Sequence, residues 1–181
     1  ARFLDWCRRQ KKLRCIGFIE GNHEFFISET HGDNFSWSTA ASFWLDADGC
    51  LFVHGDRINS KDIRYLIFRR LTKNSLTRTL LRYLPGGPNI CNRLGHALRE
   101  TNPKYRQGLP ESQIRHFADQ MFNDDVRSIF VGHFHSTYQY EHTPDQILYL
   151  VPAWFESGQV TLVDTAPTRH PVEIVNWEAL R

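Results

Sequence analysis

Five side chains with metal-ligand chemistry stand directly behind three short apolar runs. Cys15 to Ile19 leads into Gly21-Asn22-His23-Glu24, Leu51-Phe52-Val53 into His54-Gly55-Asp56, and Ser128-Ile129-Phe130-Val131 into Gly132-His133-Phe134-His135. Imidazole nitrogens and a carboxamide oxygen suit Mn, Fe or Zn. Runs of β-branched and aromatic residues that end in polar turn chemistry read as strands, and strand ends are where α/β proteins place their sites. One histidine at a strand end is more often an ordinary polar residue. Three such motifs together point to a metal site assembled from separate loops, with Asn22, His23, His54, His133 and His135 as its candidate side chains.

In this order and context the motifs resemble those of the calcineurin-like metallophosphoesterases, which read Gly-Asn-His-Asp or Glu, then Gly-His or His-Gly, then Gly-His-x-His. The resemblance runs from Ile16 to Trp177. Within that family, His54-Gly55-Asp56 followed by Asp62, Tyr65 and a long helical insert is similar to the UDP-2,3-diacylglucosamine pyrophosphatases of lipid A synthesis. Those enzymes usually have Arg-Asp where this chain has His23-Glu24. The resemblance implies an α/β fold, a metallophosphoesterase-type αββα sandwich of two mixed sheets with a helical insert. It also implies two divalent metal ions, Mn with Fe or Zn as alternatives, held by Asn22, His54 and His133 on one side and His135 on the other. His23 would then be catalytic, stabilising the transition state or protonating the leaving oxygen, and Glu24 and Asp56 would orient imidazoles. Two such ions about 3.5–4 Å apart neutralise phosphoryl charge and generate a nucleophile at neutral pH.

The family draws further ligands from an Asp-x-His and a Gly-Asp-x-x-Asp motif ahead of Gly-Asn-His. The twenty residues before Gly21 hold only Asp5 and Glu20 as acids, and neither motif. The expectation is a single metallophosphoesterase domain over residues 1–181 whose N-terminal part is missing and which is inactive by itself. The alternative is a degenerate member that survives as a metal-free scaffold.

At 181 residues and 41% hydrophobic, the chain is long enough for one core with one or two packed sheets. No apolar run reaches the roughly 18 residues of a transmembrane helix. Cys7, Cys15, Cys50 and Cys91 show no Cys-x-x-Cys spacing and read as buried free thiols in a reducing cytosol. The net charge of +2 conceals an asymmetry, since residues 57–108 hold twelve Lys or Arg against Asp62 and Glu100. That block is a positive field on an otherwise acidic body, as expected for an anionic ligand or an anionic bilayer.

The elements that position these groups follow from periodicity. Phe3 to Leu13 reads as an amphipathic helix with Phe3, Leu4, Trp6 and Cys7 inward, and Ser28 to Asn34 as a polar loop. Phe43 to Leu45 and Cys50 to Val53 flank an Asp-Gly turn and predict a hairpin. Residues 61–108 predict a helical basic insert or lid, broken at Pro85-Gly86-Gly87-Pro88, in which Asp62, Arg69, Arg70 and Lys73 are candidate substrate-binding residues. A helix opens at Pro110-Glu111-Ser112 with Ile114, Phe117 and Phe122 on one face, and short strands follow in an antiparallel series.

The function expected is metal-dependent hydrolysis of the pyrophosphate of a UDP-2,3-diacylglucosamine-like lipid at the inner face of a membrane, with a soluble phosphoester as the alternative substrate. The chain has no phosphate-loop motif, no Gly-x-Gly-x-x-Gly and no Ser nucleophile elbow. No nucleic-acid partner is expected, because the basic residues are interleaved with leucines as in packed helices.

Overall fold

Strand β5 (Ser128–Val131) is buried along its whole length, as its unbroken apolar run requires of a parallel strand covered on both faces. In the computed structural model it lies at the centre of a five-stranded mixed sheet. The structure describes residues 2–24, 26–41, 43–74, 108–164 and 172–180, with isolated positions between 76 and 93. The expected helices beyond Leu76, the Pro85–Pro88 break and Cys91 lie outside the described residues. The chain divides into two compact units, Ala1–Ser42 with Asn59–Leu109 and Phe43–Ile58 with Pro110–Arg181.

The second unit holds the large sheet. β3 (Phe43–Leu45) and β4 (Cys50–Val53) form the expected hairpin; Asp46 Oδ1 accepts the amides of Asp48 and Cys50 at 3.1 and 2.9 Å, and Gly49 takes the left-handed φ of 79°. β4 runs parallel to β5, with Val53 opposite Val131. β6 (Tyr138–Thr143) and β7 (Gln146–Leu150) are antiparallel, but β7 also pairs in parallel with β5, giving the order β3-β4-β5-β7-β6. The later strands are therefore not one antiparallel series, because β7 inserts between β5 and β6. Register sorts the faces. Phe52, Phe130 and Tyr149 stack at 5.3 and 5.5 Å across three strands, while Leu51, Ile129 and Leu148 are buried at the alternating positions. Helix α4 (Glu111–Met121) buries Ile114 and Ala118; Phe122 is its C-cap and does not continue the helix. β8 (Gln159–Val163) and β9 (Val172–Asn176) form a separate antiparallel pair.

The first unit is built on α1 (Arg2–Gln10) and the parallel pair of β1 (Gly17–Ile19) and β2 (Trp37–Thr39). A Cβ on Gly17 would lie 2.0 Å from the Trp37 indole, so only glycine lets the ring lie across the strand. Cys7 and Phe35 are buried, Phe35 stacks on Phe18 at 4.6 Å, and Arg8 Nε donates to Asn34 Oδ1 at 3.0 Å. Phe3 and Trp6 do not face inward as the periodicity predicts; they are 57% and 40% exposed and stack on each other. The predicted loop from Ser28 to Asn34 instead holds a helical turn, α2 (Ile27–Thr30), and a 3-10 turn, Gly32–Asn34. Helix α3 (Ile63–Thr72) opens the basic insert, and Asp62 caps it by accepting the Tyr65 amide at 3.0 Å.

Candidate metal centre

β4 and β5 end side by side, so the residues that follow them leave the sheet at the same edge. Gly132 N donates to Val53 O at 3.1 Å and carries the ladder one step beyond the strands. His54 and His133 then meet with ring centroids 5.2 Å apart and planes at 68°. The close approach depends on Gly55, which sits at φ 98° where a Cβ would lie 2.6 Å from Val131 Cγ1 and 3.2 Å from Gly132 O. Gly132 has no such need, since a Cβ there would meet only His54 O at 3.4 Å.

The Gly132-His133-Phe134-His135 turn is strained. His133 and His135 both take left-handed backbone, at φ 68° and 53°, and Phe134 N donates back to Gly132 O at 2.7 Å across His133. That is the rarer form of the γ-turn, and residues held in such regions cost about 1–3 kcal/mol each. His135 Nδ1 lies 2.8 Å from Glu156 Oε1, which belongs to the short helix α5 (Trp154–Ser157). A carboxylate only accepts, so Nδ1 carries the proton and Nε2 of a neutral ring carries the lone pair that a metal would take. Glu156 is absent from any local motif and was not legible in the sequence. Asp56 is buried beside Gly55.

The remaining candidates belong to the first unit. Asn22 Nδ2 lies 3.4 Å from His23 Nε2 on the loop after β1, and Glu24 is half-buried at its end. Arg70 is exposed and Arg69 half-buried on α3, whereas Lys73 is turned inward with its ammonium 3.5 Å from Glu20 Oε1. Asp62 is engaged as a helix cap and Lys73 in an ion pair, which accounts for both side chains structurally.

Two imidazoles suit one first-row ion. Metal–nitrogen bonds of about 2.0–2.1 Å are compatible with two rings whose centroids lie 5.2 Å apart, as those of His54 and His133 do, sharing one ion. They are a pair and not a full set. Among the described residues no group of three or more His, Cys, Asp or Glu side chains is gathered about one point. Within the described residues no helix is long and apolar enough to cross a membrane.

No family model matches the chain. Among curated proteins it is similar to the UDP-2,3-diacylglucosamine hydrolase of Shewanella piezotolerans, 23% identical over 158 residues that cover 84% of this chain and 66% of that protein. It is 27% identical over 133 residues to the hydrolase of the same name from Hamiltonella defensa, covering 70% of this chain and 51% of that protein. The match to the Pseudomonas putida hydrolase is 29% identical over 86 residues, 44% of this chain and 36% of that protein. The chain thus spans two thirds or less of the length of each of these relatives.

Proposed function

We propose that the chain carries part of a metal-dependent phosphoesterase centre on a metallophosphoesterase-type αββα sandwich, and that the intact protein hydrolyses the pyrophosphate of a UDP-2,3-diacylglucosamine-like substrate. The observation that carries this reading is the His54–His133 pair at the shared edge of two parallel strands, with a spacing that suits one ion. The names of the similar proteins supply the substrate class.

In this reading His54 and His133 help hold one divalent ion, Asn22 is added as a ligand on the Gly21-Asn22-His23 motif alone, and His135, oriented by Glu156, helps hold a second. The resemblance to the metallophosphoesterases points to Mn, which the carboxamide oxygen suits, with Fe or Zn, which the imidazoles suit, as alternatives. Such ions supply charge neutralisation at the phosphoryl oxygens and a nucleophile at neutral pH. His23 stabilises the departing charge or protonates the oxygen that leaves when water attacks phosphorus and the bond between the two phosphates breaks. Glu24 and Asp56 act as acceptors that fix imidazole orientation.

Helix α3 supports a lipid-linked substrate over a small one. Ile63, Ile67 and Leu71 recur every four residues and are all more than half exposed, while Arg69 and Arg70 follow on the same helix. An apolar stripe beside arginines matches acyl chains attached to a diphosphate, presented at an anionic surface on the cytoplasmic side of a membrane. His23-Glu24, in the place where the lipid enzymes usually have Arg-Asp, favours the second reading, a soluble phosphoester.

Phosphorus NMR separates the two. The intact protein with Mn should convert a UDP-linked diacylglucosamine to UMP and the sugar 1-phosphate. Cleavage of a soluble phosphodiester with the lipid diphosphate left untouched would favour the second reading, and no metal-dependent cleavage of either would end both.

A further inference from the structure

Glu20 directly follows β1, and it is only 3% exposed. A carboxylate tolerates such burial only with partners. Oε1 accepts the Phe26 amide at 2.9 Å and Oε2 the Ser28 amide at 3.2 Å. Those amides lie at the far end of the loop that carries Asn22, His23 and Glu24, so one side chain closes that loop on itself. They also open helix α2, whose N-cap residue, Phe26, sits at φ 61° and provides no side-chain cap. Glu20 supplies the missing acceptor from across the loop. The counter-charge is Lys73, 12% exposed in its side chain, with Nζ 3.5 Å from Glu20 Oε1 and also donating to the Gly21 carbonyl. Lys73 is the C-cap of α3, the first helix of the basic insert.

We propose that Glu20 and Lys73 are a positioning pair that sets the conformation of the Asn22–His23 loop and ties it to helix α3, so that displacement of α3 is transmitted to the loop. Withdrawing the ammonium strands a buried carboxylate without its counter-charge, the case in which breaking a buried pair is most costly. The carboxylate then relaxes toward water and releases two backbone amides that depend on it. The pair stands on these distances alone; only its consequence for catalysis rests on the proposed function.

Amide hydrogen exchange in the intact, metal-free protein tests it. Lys73→Met should speed exchange of the Phe26 and Ser28 amides at least tenfold while Ile129 and Val131 in the large sheet keep their wild-type rates, and Lys73→Arg should restore most of the protection. Unchanged loop exchange in Lys73→Met, or acceleration that includes Ile129 and Val131 equally, overturns the proposal. If Lys73→Met does not fold, the charge-neutral Glu20→Gln/Lys73→Met double variant takes its place, and wild-type exchange at both loop amides overturns the proposal there. With Mn and a chromogenic phosphodiester, Lys73→Met should lower kcat more than it changes KM. Fast loop exchange with wild-type kcat keeps the pair and overturns instead the placing of Asn22 and His23 at the reacting phosphate.

Discussion

The His54 and His133 rings stand 5.2 Å apart because Val53 and Val131 are register partners on adjacent parallel strands and Gly55 lets the two following turns touch. Gly55→Ala should therefore do two things. The added methyl meets Val131 and requires a left-handed backbone of alanine, which should cost about 2 kcal/mol or more in a denaturant titration. It should also push the His54 turn from the His133 turn and weaken metal binding. A variant of wild-type stability would show that the two turns are not packed as described.

Glu156 should matter more than its exposure implies. Both it and His135 are more than half exposed, so their pairing adds little to stability. Its work is to hold the proton on Nδ1. Glu156→Ala should leave the unfolding midpoint nearly unchanged, shift the nitrogen NMR signature of the His135 ring toward the other tautomer, and weaken Mn binding by roughly tenfold, at the low end for a residue that orients a ligand. An unchanged tautomer would remove Glu156 from the site.

The cysteines should separate by reactivity. Burial, with Asp46 and Asp48 nearby adding to it, pushes the Cys50 thiol from 9.0 up to about 12, and burial also raises Cys7; Cys15 is exposed. Site-resolved alkylation at pH 8 should label Cys15 well before Cys50 or Cys7. Cys50 binds its proton more tightly folded than unfolded, so its contribution to stability is whole below about 9.0 and is lost as pH climbs toward 12. Cys50→Val should flatten that alkaline decline. Fast labelling of native Cys50 would contradict its burial.

The lipid reading is tested on α3 by Arg69→Glu/Arg70→Glu. Lys73 is left in place, since reversing it would break the Glu20 pair rather than probe a surface. Each basic residue close to an anionic bilayer contributes about 1 kcal/mol. Binding to vesicles rich in anionic lipid should weaken at least tenfold and turnover of a UDP-linked diacyl sugar should fall with it, while a small phosphodiester is still cleaved. Unchanged vesicle binding and lipid turnover would favour the soluble substrate.

What could be read from the sequence was local. Strand ends at Asn22, His54 and His133 announced themselves because apolar runs stopped at turn chemistry, and the β3–β4 hairpin because Asp-Gly sat between two such runs. The insertion of β7 between β5 and β6 was hidden, since a short connection fixes which strands are antiparallel neighbours and not what lies on the other side. Glu20 and Glu156 were hidden for the same reason. Glu156 lies 21 residues from His135, and the Gly21 carbonyl bound by Lys73 lies 52 residues from it, separations at which no spacing rule operates. Asp62 reads as a substrate residue by resemblance and Lys73 by charge, and their side chains cap a helix and neutralise a buried carboxylate. Phe3 and Trp6 fit a helical period but remain exposed, because a period specifies a shared face and not what covers it.

The central claim is that His54 and His133 take one metal ion between them. Anomalous diffraction at the Mn absorption edge, from crystals of the intact protein grown with Mn, tests it without reference to substrate. The account predicts a peak about 2.0–2.2 Å from a ring nitrogen of each histidine, absent in His54→Ala. A structure in which the two rings stay paired with no Mn between them, or in which Mn binds only elsewhere, would contradict it.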